Sequence, residues 1–385
     1  MKIDVSFWNY TRQNACRTSP REIVKEWKEL GITTGFSFRY DPEEDSRDEM
    51  IALIGECEKN GLDLIVYDLR VYSPPDNFDE REYAARVRAA VEDFGGFPAV
   101  TGFYLGDEPR KAQFPNYRRA IEIFRSLTDK LPFMNFSWCD AHLKDFPGRE
   151  EYAAYLAGFV RETGLKLVSN DRYSCLHARD YEPGFRETGI DKYFADLNLF
   201  RGVATACGTK YWTSLCSVGH WMYRAPDEAD IRWQIHTALA HGAEGIQWFF
   251  LYQHRFADDY CSYPVDIYGK RNAVFGFISH YCRTLNDYTA KLLGDFSFRR
   301  VWHTGKSYGK TPLLQRGDAD VFIYSDHGQN GILSEFGKGD ERKYLVVNND
   351  QEYPEVYFIE DKDGKKYHVW LPAGGAHVVD PQRMI

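Results

Sequence analysis

Over the first three quarters of the chain, short apolar, β-branched or aromatic runs alternate eight times with longer stretches of helical period, and this order constrains the fold more than any other feature. The runs cover residues 3–10, 34–40, 62–70, 100–105, 133–138, 165–170, 210–216 and 245–252. Between them lie helix signals. Ser19-Pro20 with Glu22 behind it reads as an N-cap with proline in the first turn, and Gly31 closes that helix. Met50, Leu53, Ile54 and Cys57 share one helical face, as do Tyr117, Ile121, Phe124 and Leu127, and later Ile231, Ile235 and Leu239. Further helices are expected over 80–94, 150–161, 184–207 and 271–293. Strands alternating with helices predict parallel β-α-β units. Eight of them within about 295 residues match the count and size of a (β/α)8 TIM barrel. A doubly wound open sheet is the competitor, but no G-x-G-x-x-G follows the first run and no G-x-x-x-x-G-K-[ST] occurs.

Beyond Asp295 the texture changes to short alternating runs at 298–303, 320–325, 331–336, 343–348, 355–359 and 366–371. Turn signals such as Ser325-Asp326-His327-Gly328 and Asp361-Lys362-Asp363-Gly364 separate them. The expected organisation is therefore a barrel over residues 1–295 and an antiparallel β-sandwich over 296–385.

Composition removes several classes of function. A net charge of −9 without any Lys/Arg run argues against a nucleic-acid surface. No apolar stretch approaches the roughly 20 residues of a membrane span. The N-terminus runs straight into the first strand with no basic and apolar leader, and the eight cysteines form no C-x-x-C pair, so reduced thiols in a cytoplasmic protein are expected. His220 and His254 lack partners at metal-ligand spacing, so neither metal nor cofactor is expected. Nucleophile-elbow and H-E-x-x-H motifs are absent. The aromatic share is 16 %, and rings in excess of core needs suit ligands with apolar faces and hydroxyl rims, as sugars have.

In a barrel, function is built where strands hand over to the loops that follow. Those positions carry Arg39, Asp68, Arg70, Asp107, Glu108, Trp138, Asp140, Asp171, Tyr173, His220, Trp221 and Tyr252. Trp8 in the first run adds to the rings and polar groups expected to grip a small carbohydrate; Trp248 in the eighth run is a candidate as well, but like Trp212 it sits early in its strand, where core packing competes. The sharpest local signal is Gly102-Phe103-Tyr104-Leu105-Gly106-Asp107-Glu108-Pro109, an apolar strand that ends in two adjacent carboxylates. On an extended chain neighbouring side chains point to opposite faces, so both acids reach one pocket only if the strand bends there. Asp68 and Asp140 are weaker candidates, for which ion pairs with Arg70 and Lys144 compete; Arg39 and Arg70 suit hydroxyls or a uronic-acid carboxylate, against ordinary surface ion pairing.

The strand-four segment resembles the acid/base segment of clan A glycoside hydrolases, such as the family 42 β-galactosidase group, in which the fourth strand ends in Asn-Glu and the Glu is the acid/base. The resemblance extends to the barrel order and to the eighth run, Gly245-Ile246-Gln247-Trp248-Phe249-Phe250. It implies the acid/base position for Glu108, with Asp107 replacing the usual Asn. It fails at strand seven, where the family carries a nucleophilic Glu and this chain reads Tyr211-Trp212-Thr213-Ser214-Leu215-Cys216-Ser217. The expected substitute is Asp171, because strands four and six are next-but-one neighbours whose ends converge across the mouth. A two-carboxylate glycosidase acting on a small oligosaccharide or glycoside is thus the expectation. A sugar-binding protein on a degenerate hydrolase barrel and a metal-dependent sugar isomerase or epimerase are the alternatives, and assembly as a homo-oligomer stays open.

Overall fold

The computed structural model of the chain describes residues 2–11, 19–74, 78–142, 144–174, 189–220, 223–253 and 260–383. Eight parallel strands form the sheet at its centre: β1 (Asp4–Phe7), β2 (Thr34–Phe36), β3 (Asp63–Val66), β4 (Val100–Asp107), β5 (Leu131–Phe136), β6 (Leu167–Asp171), β7 (Lys210–Cys216) and β8 (Gly245–Phe249). They pair in chain order, with β8 returning to β1. The ring closes between β1 and β2 through the Thr33 N–H to the Val5 carbonyl and the Val5 N–H to Thr33 Oγ1, each 2.9 Å. Helices α1 (Pro20–Glu29), α2 (Arg47–Asn60), α3 (Glu80–Ala90), α4 (Phe114–Leu127), α5 (Arg149–Thr163), α6 (Gly189–Cys207), α7 (Glu228–Ala240) and α8 (Ala273–Thr284) cover the outside. This is the expected TIM barrel. The helix starts follow local chemistry: Ser19 accepts from the Glu22 N–H while the Glu22 carboxylate takes the Ser19 N–H, a reciprocal cap with Pro20 inside it.

Each strand is buried on both faces, which is why its sequence reads as a continuous apolar run. Outward residues such as Phe103, Leu105, Val168 and Trp248 join the layer shared with the helices. Inward residues fill the lumen with Trp8, Phe36, Ile65, Tyr67, Tyr104, Phe133, Leu167 and Trp212. Most of the runs overshoot the strands. Trp8–Tyr10, Arg39–Tyr40 and Tyr67–Arg70 leave the ladder and become the mouth, since hydrogen bonding there passes to loops.

The C-terminal part holds β9 (Ser297–Thr304), β10 (Val321–Tyr324), β11 (Gly331–Lys338), β12 (Glu341–Asn348), β13 (Glu355–Asp361), β14 (Lys366–Leu371) and β15 (Ala376–Val379). They form two antiparallel sheets, ordered β9-β11-β12-β15 and β10-β13-β14, over a shared core that includes Trp302, Ile323, Leu333, Val346, Tyr357 and Ile359. Strand β15 is not among the expected runs; it is four residues long and pairs only with β12. The larger sheet lies on α7, with Ser334 Oγ donating to the Ala240 carbonyl (2.5 Å) and Trp233 Nε1 to Asn349 Oδ1 (2.9 Å). Among the described residues no helix is long and apolar enough to cross a membrane.

Candidate active site

The end of β4 turns its two acids inward. The pairing of β4 with β5 shifts register between Tyr104 and Gly106, which brings Asp107 opposite Asn135 and onto the lumen side. At Glu108 the backbone then enters the left-handed region, φ 42°. For a residue with a Cβ this conformation is uncommon and costs about 1–3 kcal/mol, and such strain gathers at functional sites. The Glu108 N–H donates to the Asn135 carbonyl (2.9 Å), which holds the bend. The two carboxylates thereby lie close enough for the Glu108 charge to act on Asp107.

Asp171, the last residue of β6, completes an acidic trio. Asn135 Nδ2 donates to Asp107 Oδ1 (3.1 Å) and to Asp171 Oδ1 (3.4 Å), while Ser169 Oγ donates to Asn135 Oδ1 (3.1 Å) and sets which way the amide faces. The Glu108 and Asp171 carboxyls are hydrogen-bonded to each other. Glu108 Oε1 is buried without a hydrogen-bond partner among the described residues.

Burial sets the electrostatics. Desolvation raises all three carboxyls, Asp107 to about 7, with the neighbouring Glu108 charge adding to the rise. Asp171 stands well above the usual carboxylate range, first from burial and then from the charges of Glu108 and Asp107, and burial raises Glu108 as well. Two neighbouring buried carboxyls cannot both ionise cheaply, so burial and proximity together favour the protonated form of the Glu108–Asp171 pair. Around the trio stand the phenols of Tyr10, Tyr67, Tyr72, Tyr104 and Tyr173, each raised by burial and by acid charges of the trio. The Tyr72 and Tyr104 rings are 4.7 Å apart. Among the described residues, no cluster of three or more His, Cys, Asp or Glu side chains has an arrangement that holds a metal ion.

The structure sorts the expected site residues. It brings Glu108, Asp171 and Asp107 together, and Tyr173 lies beside them, stacked on Phe249 (5.1 Å) and edge-on to His220 (5.7 Å). His220 stacks on Tyr260. Trp8 stands beneath the site within the lumen, its indole donating to Ser214 Oγ (3.0 Å) and its ring against Tyr104. Arg39 and Trp138 are half-buried at the ends of β2 and β5.

Three expectations are corrected. Trp248 points outward, is fully buried and donates to Cys282 Sγ (3.3 Å), because its place in β8 faces the helix layer. Tyr252 also lies outside the barrel, donating to Glu26 Oε1 (2.7 Å) and accepting from Trp27 Nε1 (3.1 Å). For Asp68 the competing expectation of an ion pair with Arg70 holds: Arg70 Nη2 binds Asp68 Oδ2 (2.8 Å), and its Nη1 binds Asp93 (2.7 Å), which leaves neither free for a substrate. Asp140 pairs with Arg149, Arg172 and Lys192 rather than Lys144. Trp221 and His254 lie outside the described residues.

Asn135 and Ser169 escaped sequence reasoning. Both are polar residues inside apolar strands, on the same alternation phase as Phe133 and Leu167, which line the lumen. A polar side chain on the inward phase of a barrel strand, close to its C-terminal end, is the signal that marks them.

No family model matches this chain, and no curated protein matches it. Solved structures do resemble it. A β-galactosidase from the psychrophilic Marinomonas ef1 superposes with a TM-score of 0.57 at 13 % identity, covering 76 % of this chain, which spans 60 % of that one. A glycoside hydrolase family 5 protein from Bacteroides vulgatus gives 0.57 at 12 % identity over 99 % of this chain and 90 % of its own. A putative α-L-fucosidase from Bacteroides thetaiotaomicron gives 0.54 at 13 % identity, over 74 % and 96 %. At these identities the likeness is one of fold, and the chain shares its barrel with structures described as glycoside hydrolases.

Proposed function

We propose that this chain is a glycoside hydrolase in which Glu108 is the general acid/base and Asp171 its carboxylate partner. The observation that carries the reading is the meeting of these two carboxyls, from the ends of β4 and β6, in a desolvated cup of tyrosines. Burial keeps a proton on one of them near neutral pH, as a general acid requires. Glu108 Oε1, unpartnered and buried, is the oxygen placed to protonate a leaving glycosidic oxygen. Asp171 then stabilises or attacks the sugar carbon, or activates water, and Asn135 orients it. The separation of the two carboxyls in the complex with a sugar sets the stereochemistry, about 5–5.5 Å for retention and roughly 6.5–9.5 Å for inversion. The resemblance of the β4 segment to the family 42 β-galactosidase group agrees with the role of Glu108, while the acid-free end of β7 makes Asp171 the partner.

Assayed on a panel of aryl glycosides and short oligosaccharides, Glu108→Gln and Asp171→Asn are each expected to lower kcat by at least about 100-fold while circular dichroism and Tm stay those of the folded protein. Full activity in either variant overturns the assignment. The missing acid on β7 favours one other reading, a binder without chemistry; tight glycan binding by the unmodified protein with no turnover across the panel would select it.

A further inference from the structure

Two arginines stand at neighbouring strand ends near the mouth, and their surroundings differ. Arg70 is spent: its guanidinium binds Asp68 and Asp93 and lies over the Tyr40 and Phe94 rings. Arg39 is not. Its backbone N–H donates to the Thr11 carbonyl (3.0 Å), but its Nε is buried with no hydrogen bond, and its side chain has no ion-pair partner among the described residues. Its positive charge acts on the Tyr67 phenol, which also feels Asp107. The Tyr67 ring in turn contacts Tyr72 (5.0 Å) and Tyr104 (5.1 Å), the rings that wall the acidic trio. The Tyr40 N–H, next along the chain from Arg39, donates to the Tyr67 carbonyl (2.8 Å), so Arg39 and Tyr67 stand at neighbouring strand ends beside the proposed reaction centre. A half-buried cation left without a counter-ion is costly, and a planar fork of N–H donors fits a planar or tetrahedral oxyanion.

We propose that Arg39 reads a negatively charged substituent on the sugar, so that the site takes an acidic glycoside: a hexuronic-acid carboxylate or a sulfate ester docks on the guanidinium. The proposal rests on the glycoside-hydrolase reading of the same site. The raised carboxyls of the trio agree with it, since a site that retains protons near neutrality repels an anionic ring less than three ionised acids would.

Calorimetric binding of D-glucuronate, D-galacturonate and the 6-sulfates of glucose and galactose, each against its neutral parent sugar, tests this without requiring turnover. The unmodified protein and Glu108→Gln are expected to bind at least one acidic sugar 10-fold or more tighter than its parent, the uronate and sulfate arms telling which oxyanion is read. Arg39→Met is expected to lose about 10- to 100-fold in that affinity, the scale of a charge-assisted bidentate contact, and Arg39→Lys to recover part of it. Should Arg39→Met not fold, Arg39→Lys and Arg39→Gln decide, the first keeping charge without the fork and the second keeping neither. Equal affinity for acidic and neutral sugars, an undiminished preference in the variants, or no binding of any acidic sugar overturns the proposal. Arg39-dependent binding of a uronide that is never hydrolysed would sink the hydrolase reading and leave this one standing. Turnover of neutral glycosides with no acidic preference would do the reverse.

Discussion

Asp107 shows how a single carboxyl couples the site to the stability of the fold. Its folded value of about 7 lies above the roughly 3.9 of an unfolded aspartate. Between those values the unfolded chain gives up this proton first. The group's contribution to stability is therefore full below about pH 4, falls as pH rises and is lost above about pH 7. Asp107→Asn keeps an acceptor for Asn135 Nδ2 and does not titrate. Relative to the unmodified protein, the variant's stability is expected to rise progressively from pH 4 to pH 7, reaching a gain on the order of 4 kcal/mol, the linkage value of that shift. Thermal melts across that range check it, and a pH-independent difference would remove Asp107 from the desolvated trio. At this scale the sequence was most informative where adjacent acids ended an apolar strand. It was least informative about direction: whether Trp248 faces lumen or helix depends on a helix layer far along the chain, where Cys282 takes its indole N–H.

Strand β4 is the element on which the site depends. Its register shift and the left-handed turn at Glu108 are what let Asp107 and Glu108 share a pocket. Gly106 sits at that shift because a Cβ there would run into the Tyr117 ring, which is 2 % exposed on α4. Gly106→Ala is expected to cost about 1–3 kcal/mol, as overpacking does. Because the displaced segment carries both acids, kcat is expected to fall with stability; denaturant melts and steady-state rates measure the two together. Unchanged rates in a destabilised variant would show that β4 tolerates the shift. The strands and most helices were readable as periods of two and 3.6, and β7 fell on its expected residues. Strand ends were less readable, because aromatic residues such as Tyr10, Tyr40 and Tyr67 suit a strand and a lumen-lining loop equally well.

For the whole molecule, the junction between barrel and C-terminal sheets carries buried polar groups that titrate. His236 on α7 hydrogen-bonds to the Gly374 carbonyl (2.7 Å), and burial lowers it to about 4; His241, next to α7, is also lowered to about 4, and His303 of β9 well below its ordinary range. A histidine held neutral in this way gives stability that is present above about pH 6.5 and lost as pH falls toward about 4, because the unfolded chain takes up the proton first. His236→Asn retains a donor toward Gly374 and does not titrate. Its Tm relative to the unmodified protein is expected to rise as pH drops from 6.5 to 4, by the equivalent of about 3 kcal/mol at pH 4. A parallel fall of both melting curves would show that His236 keeps its ordinary affinity for protons.

The amino-acid order by itself determined what local physics controls: eight alternations of strand and helix, a switch to short β runs after Asp295, and an acid pair at the end of the fourth strand. Periodicity, capping and turn residues act within a few positions, so a single chain displays them. Tertiary structure alone decided which face each strand presents, that Asn135 bridges two aspartates from different strands, and that Arg39 has no ion pair among the described residues. Those outcomes rest on contacts between residues up to tens of positions apart, where desolvation and charge pairing depend on what the rest of the fold brings alongside.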